Sequence, residues 1–244
     1  KTFMWPKSFW YKVYEPFIRK AAGLGVASIK HDKERYEHKY EYCDLLIAGS
    51  GPSGLASAYA AAKNGARVIL AEDKPRFGGS LLTSEVNIGN QSGKEWADSI
   101  ISELKEMPNV TVKNRSQVFG YYDHNMLVMS EKISDHLPET KQFHPKQRLW
   151  YIRAKEVIIS SGSIERPLVF GNNDTPGVML SSAAKEYLKV YGVLVGRNPL
   201  IFTNNDSGYE TAIEFKKNGI DPIILDTRKN PESEIIDEAK NLGI

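Results

Sequence analysis

Three glycines and one acid carry the densest chemistry in the chain. Gly49, Gly51 and Gly54 stand in the run Asp44-Leu45-Leu46-Ile47-Ala48-Gly49-Ser50-Gly51-Pro52-Ser53-Gly54-Leu55-Ala56, and Glu72 lies 23 residues beyond the first of them. At that spacing the first glycine permits a tight turn. The second lets backbone approach a pyrophosphate with no Cβ between them, and the third lets a helix pack close to a strand. The free N–H groups at the helix start, where Pro52 and Ser53 stand, face the phosphates, with the helix dipole adding roughly 0.3–1 kcal/mol. Glu72 is placed to accept hydrogen bonds from both ribose hydroxyls. A carboxylate there repels a 2′-phosphate, so NAD is favoured over NADP. Beyond Asp73, the run Gly78-Gly79-Ser80-Leu81 offers a second close approach of backbone to phosphate, or a plain loop.

The elements that must hold these residues follow from periodicity. Leu45–Ala48 is an apolar strand, Ala56–Lys63 an alanine-rich helix and Val68–Ala71 a second strand ending on Glu72. Lys94–Met107 has helical apolar spacing, ended by Pro108. Val110–Val118 alternates as a strand, with Val118 counted among the nucleotide contacts. Tyr121–Val128 and Leu149–Arg153 read as antiparallel strands around a polar loop, Glu131–Arg148, whose His136 and His144 lack metal-ligand spacing. Ala154–Ile159 is a buried strand that ends in Ser160-Ser161-Gly162 and belongs beside the first, with Ser161 and Gly162 under the nucleotide. Pro199–Phe202, Tyr209–Asn218 and Pro222–Leu225 repeat the strand–turn–helix–strand layout, with Asp226 placed like Glu72. Asn204 and Asp206 stand where the first two glycines would, and their side chains oppose a pyrophosphate. The fold class is therefore α/β: a Rossmann-like parallel sheet with helices on both faces, an antiparallel β insertion, and a second, degenerate Rossmann-like unit. The chain divides into an aromatic N-terminal extension (1–43), a dinucleotide-binding domain (44–170), a connector (171–196) and the second unit (197–244).

Composition narrows the functions. The chain has 244 residues, 41% hydrophobic, with net charge +2, which gives no argument for nucleic acid or an anionic membrane as partner. The apolar runs fall far short of the ~20 residues that span a bilayer. A single cysteine, Cys43, excludes an internal disulfide, a four-cysteine zinc site and a dithiol redox pair, and a reducing cytoplasm is its natural compartment. Its place at the start of an apolar strand marks it as structural. Trp5, Phe9, Trp10, Tyr11, Tyr14 and Phe17 crowd the N-terminus, where Pro16 interrupts any long helix and the aromatics are expected to pack on this domain or a neighbouring chain. The run His31–Glu41 reads as a solvated approach to the first strand. Beginning at Lys1 rather than Met, the sequence has the look of a piece of a longer polypeptide.

Together the glycine turn, the acid, the Gly78-Gly79 pair and the strand end at Gly162 resemble the two-dinucleotide-binding flavoprotein fold. Trp5-Pro6-Lys7-Ser8-Phe9-Trp10, Glu165-Arg166-Pro167-Leu168-Val169-Phe170, Asp174-Thr175-Pro176-Gly177-Val178-Met179 and Thr203-Asn204-Asn205-Asp206-Ser207 narrow the match. They resemble the alpha subunits of heterotetrameric sarcosine oxidases across nearly the whole length. That resemblance implies oxidative demethylation of sarcosine to glycine, with oxygen reduced to peroxide and folate taking the one-carbon unit. It implies FAD and FMN in or at the edge of the beta subunit, with gamma and delta subunits completing the assembly. NAD would sit at the glycine turn without turnover, and folate in a domain outside this sequence. It implies too that this stretch alone catalyses nothing, which agrees with finding no catalytic group in the sequence: Arg166 either touches a cofactor or pairs with a surface carboxylate. Two rivals remain: an FAD-dependent pyridine-nucleotide oxidoreductase with FAD at the same turn, and a non-catalytic interaction module.

Overall fold

A computed structural model describes residues 5–25, 27–138 and 144–244. The tip of the Glu131–Arg148 loop and the residues at the very start of the chain lie outside them. The chain forms two compact units, Lys1–Arg35 and Tyr36–Ile244. In the first, helical backbone runs from Lys7 through α1 (Glu15–Ala21) with Pro16 inside the first turn of α1. Pro16 does not break the helical backbone; the wider turns of Trp10–Tyr14 give way to α-helix beside it. Trp5, Tyr11 and Phe17 are 73%, 82% and 74% exposed.

The second unit is built on a six-stranded mixed sheet. Its first strand, β1 (Tyr36–Ala48), leads through the glycine turn into α2 (Pro52–Lys63) and β2 (Val68–Ala71). A small hairpin, β3 (Asn87–Ile88) and β4 (Gln91–Ser92), precedes α3 (Gly93–Glu106), whose Ser92 and Glu95 form a reciprocal capping box. Then come β5 (Val110–Lys113), β6 (Ser116–Tyr122), β7 (Met126–Lys132) and β8 (Gln147–Ile159). The strand order is β5-β2-β1-β8-β7-β6. Pairing is parallel from β5 to β8 and antiparallel through β7 and β6.

Successive residues of the parallel strands face opposite cores, as a two-residue period requires. Ile47, Val68 and Leu70 meet Leu55 and Ala58 of α2 and Ile100, Ile101 and Leu104 of α3. Leu46, Ile69 and Ala71 meet Leu127, Met129, Trp150 and Ile152. Helices thus cover one face of the sheet, and the antiparallel insertion packs against the other.

Two long strands also differ from the sequence expectation. The charged run before Asp44 is largely exposed, as expected, but from Tyr36 it is itself β-strand, paired with β8 from Gln147 to Ile159. Its aromatic alternation is used across the sheet, where Tyr40 stacks on Tyr151 with ring centroids 5.1 Å apart. Leu149–Arg153 and Ala154–Ile159, read as separate strands, are one strand, β8. Conversely, Val110–Val118 breaks into β5 and β6 at Arg115, whose φ of 50° turns the chain.

The remaining elements are α4 (Ser181–Tyr191), missed within the connector, then β9 (Leu200–Thr203), α5 (Ser207–Lys217), β10 (Ile223–Asp226) and α6 (Glu234–Asn241). β9 and β10 pair in parallel. Leu70 lies fully buried between β1, α2 and α3. Leu70→Ala should cost about 2–5 kcal/mol, read as a lowered midpoint in urea unfolding; a midpoint unchanged from wild type contradicts the packing described.

Candidate dinucleotide site

The first turn is assembled by backbones approaching more closely than side chains allow. Gly49 has φ of 104°, and its N–H donates to the carbonyl of Ala71 at 2.8 Å. A Cβ on Gly49 would overlap the carbonyl oxygen of Ser160 at the end of β8, and one on Gly54 would overlap the carbonyl oxygen of Gly49. These two glycines lock β1, β8 and the start of α2 together. Gly51 differs: its backbone is ordinary (φ −66°), and no heavy atom lies within 4 Å of where its Cβ would be. The space in front of Gly51 is open, at the mouth of a helix whose first intrahelical bond is Leu55 N–H to Gly51 C=O, 2.9 Å. Pro52 has no N–H, so the donors aimed out of the mouth are those of Ser53 and Gly54.

Two further segments border the mouth. Gly78 N–H donates to the Ser50 carbonyl at 3.1 Å, and a Cβ on Gly79 would lie 2.8 Å from Gly51 Cα. The Gly78-Gly79 pair is therefore no plain loop; it presses against the first turn. Beyond it Leu81 is buried in the helix-side core and Ser80 is exposed. Ser160 Oγ lies 3.5 Å from Ser53 Oγ, while Ser161 and Gly162 (φ 73°) are exposed, with open space at Gly162. Val118 stands apart on the other face, packed against the core of the antiparallel insertion with Ala48 and Val157.

Glu72 turns inward. It is 6% exposed; one carboxylate oxygen accepts from the N–H and hydroxyl of Ser50 and the other from Lys74 N–H at 3.0 Å. A carboxylate offers about four acceptor positions, so three are spent holding the turn. The expectation that Glu72 serves both ribose hydroxyls needs revising: room for one remains, and exposed Asp73 is the neighbouring acid. Burial, and then the adjacent Asp73, hold the Glu72 carboxyl above its ordinary 4.5. Ser50 has no role in the sequence pattern; its complete burial and its bonds mark it as the hydroxyl that joins Glu72 to Gly78 N–H.

Comparison with known proteins bears on the fold that carries this turn. Residues 44–137 match the FAD dependent oxidoreductase family model. The sarcosine oxidase alpha subunit of Rhizobium meliloti (strain 1021) is 47% identical over 229 residues, covering 93% of this chain and 23% of that protein. That of Corynebacterium sp. (strain U-96) is 36% identical over 211 residues, covering 86% and 22%. The chain belongs to the sarcosine oxidase alpha-subunit family. It spans about a quarter of the length of these relatives. Among solved structures, L-proline dehydrogenase from P. horikoshii superposes with a TM-score of 0.64 at 23% identity, over 84% of this chain and 39% of that one, a likeness of fold.

The second turn departs from the register expected for it. Gly208 takes the role of Gly54, since a Cβ there would lie 2.6 Å from the Thr203 side chain. Asp226 bonds Arg228 N–H at 2.8 Å as Glu72 bonds Lys74 N–H. Counting from these anchors, Thr203 and Asn205, rather than Asn204 and Asp206, replace the first two glycines. Thr203 Oγ1 bridges the turn, donating to Asn205 C=O at 2.8 Å. Arg228 then spans Asp226 and Asp206, both at 2.8 Å, so the acid matching Glu72 is neutralised within the fold.

Elsewhere, Cys43 is buried in β1 and burial pushes its thiol up to about 12, which leaves it protonated and unreactive. Among the described residues no group of His, Cys, Asp and Glu is arranged to hold a metal ion, and no helix is long and apolar enough to cross a membrane.

The two kinds of glycine give opposite expectations. Gly54→Ala should lower the melting temperature sharply or prevent folding, because backbone must move. Gly51→Val should cost only about 1 kcal/mol, the loss of a tolerated N-cap residue without a backbone clash. Equal damage from both, in thermal melts, would contradict the packing at Gly49. For Glu72 the sign is set by its raised pKa: the native state keeps a proton that the unfolded chain loses near 4.5. Its contribution is complete below that pH and is lost as pH rises through the native value. Wild type should therefore lose melting temperature relative to Glu72→Gln as pH is raised from ~4.5; a gap that is constant or opens the other way refutes the buried acid.

Proposed function

We propose that this chain is the dinucleotide-holding region of a sarcosine oxidase alpha subunit, with NAD at the first glycine turn. The observation that carries this is the Cβ-free space before Gly51, facing the Ser53 and Gly54 amides at the helix mouth. The pyrophosphate fits there, bordered by Gly79 and Gly162, with the ribose toward Glu72 and Asp73. Two adjacent carboxylates suit ribose hydroxyls and oppose a 2′-phosphate. The residues around the turn bind and orient; none of them is positioned as a general acid or base. In the whole enzyme, the reaction is oxidative demethylation of sarcosine to glycine with peroxide formation, FAD and FMN at the beta subunit, gamma and delta subunits in the assembly, and folate receiving the one-carbon unit. The similarity to sarcosine oxidase alpha subunits, 47% over 93% of the chain, supports this. A single buried thiol and a near-neutral charge suit a cytoplasmic setting without nucleic-acid or membrane partners.

A second reading places FAD at the same turn; the family model that matches residues 44–137 favours it. Mass spectrometry of the nucleotide released on denaturation, with the visible spectrum of the purified protein, separates the two. NAD in the supernatant and no flavin absorbance are expected. A yellow protein releasing FAD would move the assignment to the second reading, and no nucleotide even after incubation with either would sink both. Asp73→Ala should weaken NAD binding by roughly tenfold in calorimetry, through loss of a charge-assisted bond worth about 1.5 kcal/mol; unchanged affinity would remove Asp73 from the ribose.

A further inference from the structure

The residue two places beyond the ribose acid is basic in both units, and the fold treats the two cations differently. Arg228 folds back on its own unit, bridging Asp226 at 2.8 Å and Asp206 at 2.8 Å. Lys74 does not fold back. Its Nζ reaches across to α4 and donates to both carboxylate oxygens of Glu186, at 2.8 and 2.7 Å. A second cation of the same loop, Arg76, is also drawn to α4, donating to the Val190 carbonyl at 3.2 Å. The acid edge of the first turn thus keeps its negative charge while the cations of its own loop are held elsewhere.

We propose that Glu186 is a specificity-determining residue of the dinucleotide site: by holding the Lys74 ammonium, it denies a 2′-phosphate its cation and keeps Glu72 and Asp73 open to ribose hydroxyls. The inference rests on the dinucleotide reading given above. A basic side chain just past the ribose acid is where a 2′-phosphate is accommodated in folds of this kind. Lys74 has the right place and charge for that role, and only its pairing with Glu186, from a helix 112 positions along the chain, removes it. Released, the ammonium has two destinations, a 2′-phosphate or the neighbouring carboxylates. The first strengthens NADP binding and the second weakens NAD binding, and both shift selectivity the same way.

The test is calorimetric titration of the chain with NAD and with NADP at low ionic strength, for wild type, Glu186→Ala, Lys74→Met and the double variant. Glu186→Ala should raise the NADP-to-NAD affinity ratio roughly 3- to 10-fold, the range of one partly exposed charge-assisted contact. Adding Lys74→Met should return the ratio to the wild-type value. Lys189 to Glu85 at 3.4 Å and Arg76 to Val190 keep α4 docked in the variant. Should Glu186→Ala nonetheless fail to fold, Glu186→Gln should show a smaller rise in the same direction. An unchanged ratio, with or without a lowered melting temperature, makes the pair a structural strut and overturns the proposal, as does a raised ratio that survives Lys74→Met. If wild type binds neither nucleotide, the dinucleotide reading itself falls and the proposal with it.

Discussion

Everything in the second unit is organised by the near-contact of three backbones at Gly49. The turn leaving β1, the end of β8 and the first residues of α2 meet where Cβ atoms at 49 or 54 would occupy the positions of the Ser160 and Gly49 carbonyl oxygens. Close packing of this kind fixes the helix mouth relative to the sheet to within a fraction of an ångström, because backbone cannot yield as a side chain can. The same contact decides what is left open. With Gly49 and Gly54 spent on assembly and Gly79 pressed against Gly51, the one direction without atoms is the space before Gly51. A motif usually treated as one signature therefore contains two roles, and only its middle glycine faces open space.

Glu72 ties that turn to electrostatics. A buried carboxylate is costly unless its lone pairs are satisfied, and here they are satisfied by Ser50 and Lys74, the residues that shape the bend. The acid at the end of β2 is thus a structural clamp first. The second unit uses the same frame differently, with Arg228 closing on Asp226 and Asp206 in place of any ligand. One arrangement leaves negative charge and open space together; the other consumes both internally.

The glycine turn, the strand–helix–strand order and the acid were readable because they are local, carried by spacing within some 25 residues or by a strict apolar period. The strand character of Tyr36–Tyr42 was not, since its alternation is of tyrosine and charge and its partner lies more than a hundred residues later, at Gln147–Arg153. The single strand Gln147–Ile159 reads as two because its first half borders β7 and its second half does not. The register of the second turn failed by one position for a similar reason: counting glycines cannot see that Gly208 packs on Thr203. Neither Ser50 nor Glu186 carries a local signature; both matter only through residues brought to them by the fold.

The most direct test of this account is an amide-resolved titration of the isotope-labelled chain with NAD, followed by NMR. The account predicts that the largest shifts fall on Gly51, Ser53 and Gly54, extend to Asp73, Gly79 and Gly162, and leave Thr203–Gly208 unmoved. Shifts centred on Thr203–Gly208, or saturation that leaves Gly51, Ser53 and Gly54 in place, would contradict it.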